Sequence, residues 1–303
     1  RMKKVLLALS VCMSLTTFAQ VLDVKSISKI DIAESSENVI AGISPTGEYL
    51  LLTSASNNGL AKYDLATGET TMITDAQGAG FNAQISSDGN TVIYRETSYT
   101  SKKLRQNALK YTNLVTGETR TLIKPTRNLQ TFYLDNNSVV AVDNNKLQVK
   151  SIGPKQSLSS RPTLFIKDTQ LMISDDNGVR NLSPNGSQFS YLWPSVSPDG
   201  SKILYYVAGV GAFVCNLDGS NIQSLGIIRA AKWYNDNVIV GMHDEDNGEI
   251  ITSSQIVAST LDGTKQVLTD NSTIAMYPYT AGSDKIVFST PQGDAYIINL
   301  NVK

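Results

Sequence analysis

Apolar positions along the chain come in short clusters or strict alternation, and Gly, Asn, Asp or Pro interrupts them about every ten residues. Beyond the first twenty residues no stretch carries the 3.6-residue period of an amphipathic helix, so the pattern predicts an all-β protein. The strands recur in a fixed context. Ser44-Pro45-Thr46-Gly47 leads into Tyr49-Leu50-Leu51-Leu52, Ser86-Ser87-Asp88-Gly89 into Val92-Ile93-Tyr94, and Ser197-Pro198-Asp199-Gly200 into Ile203-Leu204-Tyr205-Tyr206. Weaker copies are Asp135-Asn136-Asn137, Lys167-Asp168-Thr169, Asn235-Asp236-Asn237 and Gly282-Ser283-Asp284, each ahead of a β-branched or apolar run. Seven such turns between Ser44 and Gly282 stand about 40 residues apart, the period of a four-stranded propeller blade.

A second signal has the same period. Tyr63-Asp64-Leu65-Ala66-Thr67-Gly68-Glu69-Thr70 nearly repeats as Tyr111 to Thr119, and Leu217-Asp218-Gly219 and Leu261-Asp262-Gly263 take the equivalent place. These read as hairpins between a blade's two outer strands, where Gly supplies the positive φ of a tight turn. One sheet of some 40 residues cannot bury both faces alone, so the copies form one domain, a ring of blades. The last unit stops after Ala295-Tyr296-Ile297-Ile298 without an outer strand, and the alternating segment Val24 to Ile32 is expected to pair there and close the ring. Seven blades result. Six is the alternative, because the units at 127–160 and 161–189 are short and could merge.

The first twenty residues differ from the rest. Met2-Lys3-Lys4, the apolar run from Val5 to Phe18 and Thr17-Phe18-Ala19 match the charged start, apolar centre and small-residue cleavage site of a secretory signal, giving a leader at 1–19 and a propeller at 20–303. The run is too short to span a bilayer, so no membrane span is expected after cleavage. Cleavage removes Arg1, Lys3 and Lys4 with no acid, which takes the charge from −1 to −4. That balance argues against a nucleic-acid partner. We expect an exported monomer, periplasmic or secreted. It keeps the single Cys215, which lies in a strand pattern and reads as a buried, inert thiol.

The phrase from Trp193 to Tyr205, with Val214-Cys215-Asn216-Leu217-Asp218-Gly219 closing its blade, resembles the repeat of TolB-type (WD40-like) β-propellers, most closely at 38–75, 78–124, 190–226 and 227–269. Together with the export signal, the chain looks like the TolB-like propellers common in Bacteroidetes. TolB itself carries an additional N-terminal α/β domain, for which a chain of this length has no room. The resemblance therefore implies a single propeller, without carrying over TolB's role in the Tol–Pal envelope complex.

Candidate chemistry is sparse. His243 is the sole histidine and no Gly-x-Ser-x-Gly elbow is present, which disfavours serine hydrolysis. Propeller lyases of pectic oligosaccharides resemble the repeat as well, but they hold a metal with several His side chains that this chain lacks. The cluster His243-Asp244-Glu245-Asp246-Asn247-Gly248-Glu249 is the one place where Ca²⁺ could sit, but it departs from the EF-hand pattern, and an exposed acidic turn is the better explanation. No cofactor is expected. Aligned on their turns, the innermost strands place Ile40, Asn82, Trp193, Ala230 and Tyr277 at one position, followed by Ala41, Ala83, Pro194, Ala231 and Pro278. Trp193, Tyr277, Asn82 and Arg229 would then surround a channel mouth, with core packing and an internal salt bridge as the plain alternatives. The expectation is a non-catalytic propeller in the cell envelope that binds a protein or a glycan. The alternative is an enzyme or sensor for a small carbohydrate or peptide at the channel mouth, with His243, Asp244 and Asp246 as further ligand-binding candidates and His243 with the acids after it as the only groups for acid–base work.

Overall fold

The computed structural model describes residues 20–32, 38–135, 138–153, 161–282 and 284–301. The expected leader at 1–19, and Asn136, Asn137 and Ser283 of the weaker turns, lie outside them. The described residues form seven antiparallel sheets with no helix, arranged as a seven-bladed propeller.

Val24–Ile30 (β1) comes first. The first blade follows as Asn38–Ile43 (β2), Tyr49–Ser54 (β3), Leu60–Asp64 (β4) and Thr70–Thr74 (β5). The second is Gln84–Ile85 (β6), Thr91–Tyr99 (β7), Arg105–Asn113 (β8) and Thr119–Thr126 (β9). Two three-stranded blades come next: Leu129–Asp135 (β10), Ser138–Asp143 (β11) and Lys146–Ser151 (β12), then Thr163–Lys167 (β13), Gln170–Asp175 (β14) and Gly178–Asn181 (β15). The fifth blade is Tyr191–Val196 (β16), Lys202–Val207 (β17), Gly211–Asn216 (β18) and Gln223–Gly226 (β19). The sixth is Arg229–Trp233 (β20), Val238–Asp246 (β21), Ile251–Thr260 (β22) and Lys265–Val267 (β23). Met276–Ala281 (β24), Lys285–Ser289 (β25) and Ala295–Leu300 (β26) make the seventh, and β1 completes it from the other end of the chain.

The expected closure is present. β1 pairs antiparallel with β26, from Val24 opposite Leu300 to Ile30 opposite Ala295. Gln266 adds a clasp: its Oε1 accepts from the N–H groups of Val21 (2.6 Å) and Leu22 (2.8 Å), and its Nε2 donates to the Leu22 carbonyl.

The two short units do not merge into a sixth blade. Each keeps its own sheet, and the fourth is oriented differently from the rest. In the other blades the innermost strand runs in one sense, but in the fourth blade it runs in the reverse sense. Thr163 at the start of β13 meets Tyr133 near the end of β10, and Arg161 donates to the Val196 carbonyl at the end of β16, whereas the β13–β14 turn accepts the Tyr191 N–H at the start of β16. The turn Lys167-Asp168-Thr169 therefore lies on the opposite side of the ring from the Ser-Pro-Asp-Gly turns with which it aligns in sequence. It is also a turn of another kind, a two-residue link with φ of 49° and 66° at Asp168 and Thr169, where the serine-capped turns have positive φ at the glycine alone.

The runs of apolar residues are explained by two-sided burial. Side chains alternate along a strand, and each blade is covered by a neighbour on both faces. Leu50 and Leu52 pack with Val287, Ala281 and Ala295 of the seventh blade, while Tyr49 and Leu51 pack with Val92 and Tyr94 of the second. The Tyr49 hydroxyl also crosses that seam, donating to the Gly89 carbonyl at 2.7 Å. Clusters of this kind fill the seams between successive blades, except that none spans the third and fourth among the described residues.

The repeated turn is held by its serine. Ser44 Oγ accepts from the N–H of Glu48 and Tyr49, Ser86 Oγ from Thr91, and Ser197 Oγ from Ser201 and Lys202. These turns and the Thr-Gly and Asp-Gly hairpins share one end of the ring, which we term the turn face. Outside the reversed fourth blade, the described links between second and third strands and those from blade to blade share the other end, the loop face.

Candidate functional site

Except in the reversed fourth blade, the innermost strands begin at the loop face, and there the sequence alignment meets a backbone irregularity. The pairing skips at Ile40/Gly42, Leu192/Ser195, Arg229/Lys232 and Met276/Tyr279, a β-bulge in the first, fifth, sixth and seventh blades. Asn82, Trp193, Ala230 and Tyr277, four of the five aligned residues, have φ between 49° and 58°. Asn tolerates that conformation, but for Trp and Tyr it is an outlier that costs on the order of 1 kcal/mol or more. Their rings do not repay it by burial: Trp193 is 55% exposed and Tyr277 50%.

Three of the sequence candidates are joined in one chain of contacts. The Trp193 ring meets Tyr206 at 5.5 Å between centroids. Arg229 donates to Tyr206 and, from Nη1, to Asp244 Oδ2 at 2.7 Å, and these two contacts raise its pKa above the ordinary guanidinium value. The Asp244 side chain is fully covered, and its Oδ1 has no partner. Tyr277 stands next to this group, its N–H pointing at Met242 Sδ (3.4 Å), and Met242 is opposite Arg229 in the sheet. The Lys232 ammonium on β20 stands 5.3 Å from the Tyr279 ring, with desolvation lowering its pKa.

The remaining candidates fall elsewhere. His243 is exposed, with Nδ1 3.1 Å from the Ile227 carbonyl. The acidic cluster is the end of a long hairpin, because β21 and β22 continue well beyond the blade. Strand alternation sends Asp244 inward and His243 and Glu245 outward, so the carboxylates do not converge. Asp246 serves the tip turn, accepting from the Gly248 N–H at 2.9 Å, and Asn247 accepts from Glu249 and Ile250. Among the described residues no group of three or more His, Cys, Asp or Glu side chains is placed to hold a metal ion.

Asn82 lies across the ring, beside a feature that the sequence reading missed. The second blade has the same kind of extended hairpin, β7 and β8, and it forms a cleft of about 640 Å³ with neighbouring loops of the loop face. Arg95 and Arg105 come from the hairpin, Phe81 and Gly78 from the link ahead of the second blade, Asn57 from the first blade and Arg127 from the link to the third. Arg95 is fixed in place: Nη2 donates to the Gln130 carbonyl (3.2 Å), and the guanidinium lies 5.3 Å and 5.5 Å from the Phe81 and Phe132 rings. The spacing carried a hint. Gly117 follows Ser86 by 31 positions, whereas Gly68 follows Ser44 by 24, and the extra residues are the hairpin extension.

No protein-family model matches the chain, and no curated protein matches it. Solved structures do. A streptogramin B lyase structure aligns over 91% of this chain and 98% of its own, with 12% identity and a TM-score of 0.60. A putative TolB from Agrobacterium tumefaciens aligns over 91% and 97%, with 16% identity and a TM-score of 0.51. TolB from Acinetobacter baumannii aligns over 84% of this chain and 57% of its own, with 14% identity and a TM-score of 0.49. At these identities the likeness is one of fold, a β-propeller like those of the streptogramin B lyase and the putative TolB. No helix among the described residues is long and apolar enough to cross a membrane.

Proposed function

We propose that the protein is a non-catalytic, exported propeller of the cell envelope that binds a protein or glycan partner on its loop face. One observation carries the reading: Trp193 and Tyr277, at equivalent bulges, hold large rings half in solvent on a left-handed backbone. Strain of that kind is retained where the surrounding structure enforces it and commonly marks a site of use. A rigid ring presenting aromatic faces beside a fixed cation, Arg229, suits sugar rings or peptide side chains. Rigid scaffolds with loop-borne specificity work in this way.

The test is thermal unfolding of the protein against a panel of neutral oligosaccharides and short peptides, since a ligand of the native state raises the midpoint by mass action. A saturable rise that disappears in Trp193→Ala supports the reading. A panel without any rise, or one with equal rises in the variant, contradicts it.

A further inference from the structure

The arginine cleft is separate from the Trp193 cluster and has a different chemistry. Arg120, Arg180 and Arg229 each pair with a carboxylate. Arg95, Arg105 and Arg127 line one cavity, and no Asp or Glu is among the residues that line it. None of the three forms an ion pair among the described residues. Arg95 is largely covered, and its Nε is buried without a hydrogen-bond partner. A covered cation with an unanswered donor costs free energy unless an anion completes it. Burial, with Arg105 alongside, lowers the Arg95 guanidinium to about 10, so it remains charged at neutral pH. A fold that gathers like charges around an opening and pins one of them between two phenylalanine rings has preorganised an anion site.

We propose that this cleft binds a small molecule bearing two or more oxyanion groups, whether carboxylate, phosphate or sulfate. The size supports more than one group: a single ion would leave most of the 640 Å³ empty, while the cavity lies in the range that holds a small organic ligand. Arg95 provides a positive charge fixed in the cleft wall, and the exposed side chains of Arg105 and Arg127 adapt to the oxyanion groups. Phe81, 52% exposed, offers an apolar wall beside them. The proposal rests on the loop face being the binding face and assigns its ligand chemistry at this position.

The experiment is thermal unfolding and calorimetric titration of the protein with citrate, pyrophosphate and sulfate, at one ionic strength set with sodium chloride. At least one of citrate and pyrophosphate is expected to bind saturably, and the stronger of the two identifies the carboxylate or phosphate source. Sulfate, a single group, is expected to bind at least tenfold more weakly. Arg105→Ser weakens the response tenfold or more while leaving the unliganded midpoint unchanged or higher, because a repulsion is removed. Arg120→Ser, on a paired arginine elsewhere, responds as the wild type does. Arg95→Met abolishes the response, and because that variant could misfold the decisive comparison is Arg105→Ser against Arg120→Ser. Equal binding in those two variants, or no saturable binding by citrate or pyrophosphate, overturns the proposal. If Trp193-dependent binding of oligosaccharides or peptides persists in that case, only the oxyanion assignment falls; if it is absent as well, the reading of the loop face falls with it.

Discussion

Replacing Ile30 with Ala is expected to cost about 2.5 kcal/mol of stability, although the residue lies at the end of the first strand of the domain. Ile30 is 9% exposed and packs with Val287, Ala295, Leu50 and Tyr63, at the seam where the two ends of the chain meet. The substitution removes three carbons at about 0.8 kcal/mol each. The cavity term is small because the site is at a strand end and can partly collapse. Ile27, in the same strand, is 41% exposed, so Ile27→Ala should stay within about 0.5 kcal/mol. Urea unfolding followed by circular dichroism measures both variants, with unchanged denaturant slopes as the check that the comparison is one of stability. If ring closure by β1 is correct, the two variants separate by about 2 kcal/mol. Equal values for Ile30→Ala and Ile27→Ala would refute the pairing of β1 with β26 as a stabilising closure.

Two further outcomes follow from the buried and hydrogen-bonded titrating groups. Burial pushes the Cys215 thiol up to about 12, so in a Cys12→Ser background it should not react with DTNB at pH 8 until guanidinium unfolds the protein; stoichiometric reaction of the native state would contradict its place in the strand core. Asp199 accepts from Ser197 Oγ, Ser201 Oγ and the Ser201 N–H, which hold its carboxyl at about 2. Its folded value is below the unfolded one of about 3.9, so its stabilisation is present above about pH 4 and is lost as pH falls towards 2. Asp199→Asn should therefore lower the unfolding midpoint at pH 6 and narrow its difference from wild type by pH 2.5; a pH-independent difference would contradict this.

The repeat was legible because turn chemistry is local: a serine capping its own turn and a glycine at positive φ leave the same pattern in the three clear copies. Closure was legible because β1 alternates and the last unit lacks an outer strand. The reversal of the fourth blade was hidden, since Asp168-Thr169 satisfies a tight turn without saying which end of the ring it occupies. The bulge position could be aligned in sequence, but the left-handed backbone at Trp193 and Tyr277 could not be read, because no glycine marks it. In the acidic segment, composition suggested convergence that the pleat of a long hairpin undoes. The arginine cleft draws on four segments between Ser56 and Arg127, each cation unremarkable in its own strand or loop, and only the longer Ser86 to Gly117 spacing pointed to it.

The most direct test of the binding face is a hydrogen-exchange footprint of the protein with the compound that gives the largest midpoint rise in the ligand panels. The account predicts slowed exchange at loop-face segments, 54–59, 75–83, 100–104, 208–210 and 268–275, with the turn-face segments 44–48, 86–90 and 197–201 unchanged. Protection confined to the turn face would contradict it.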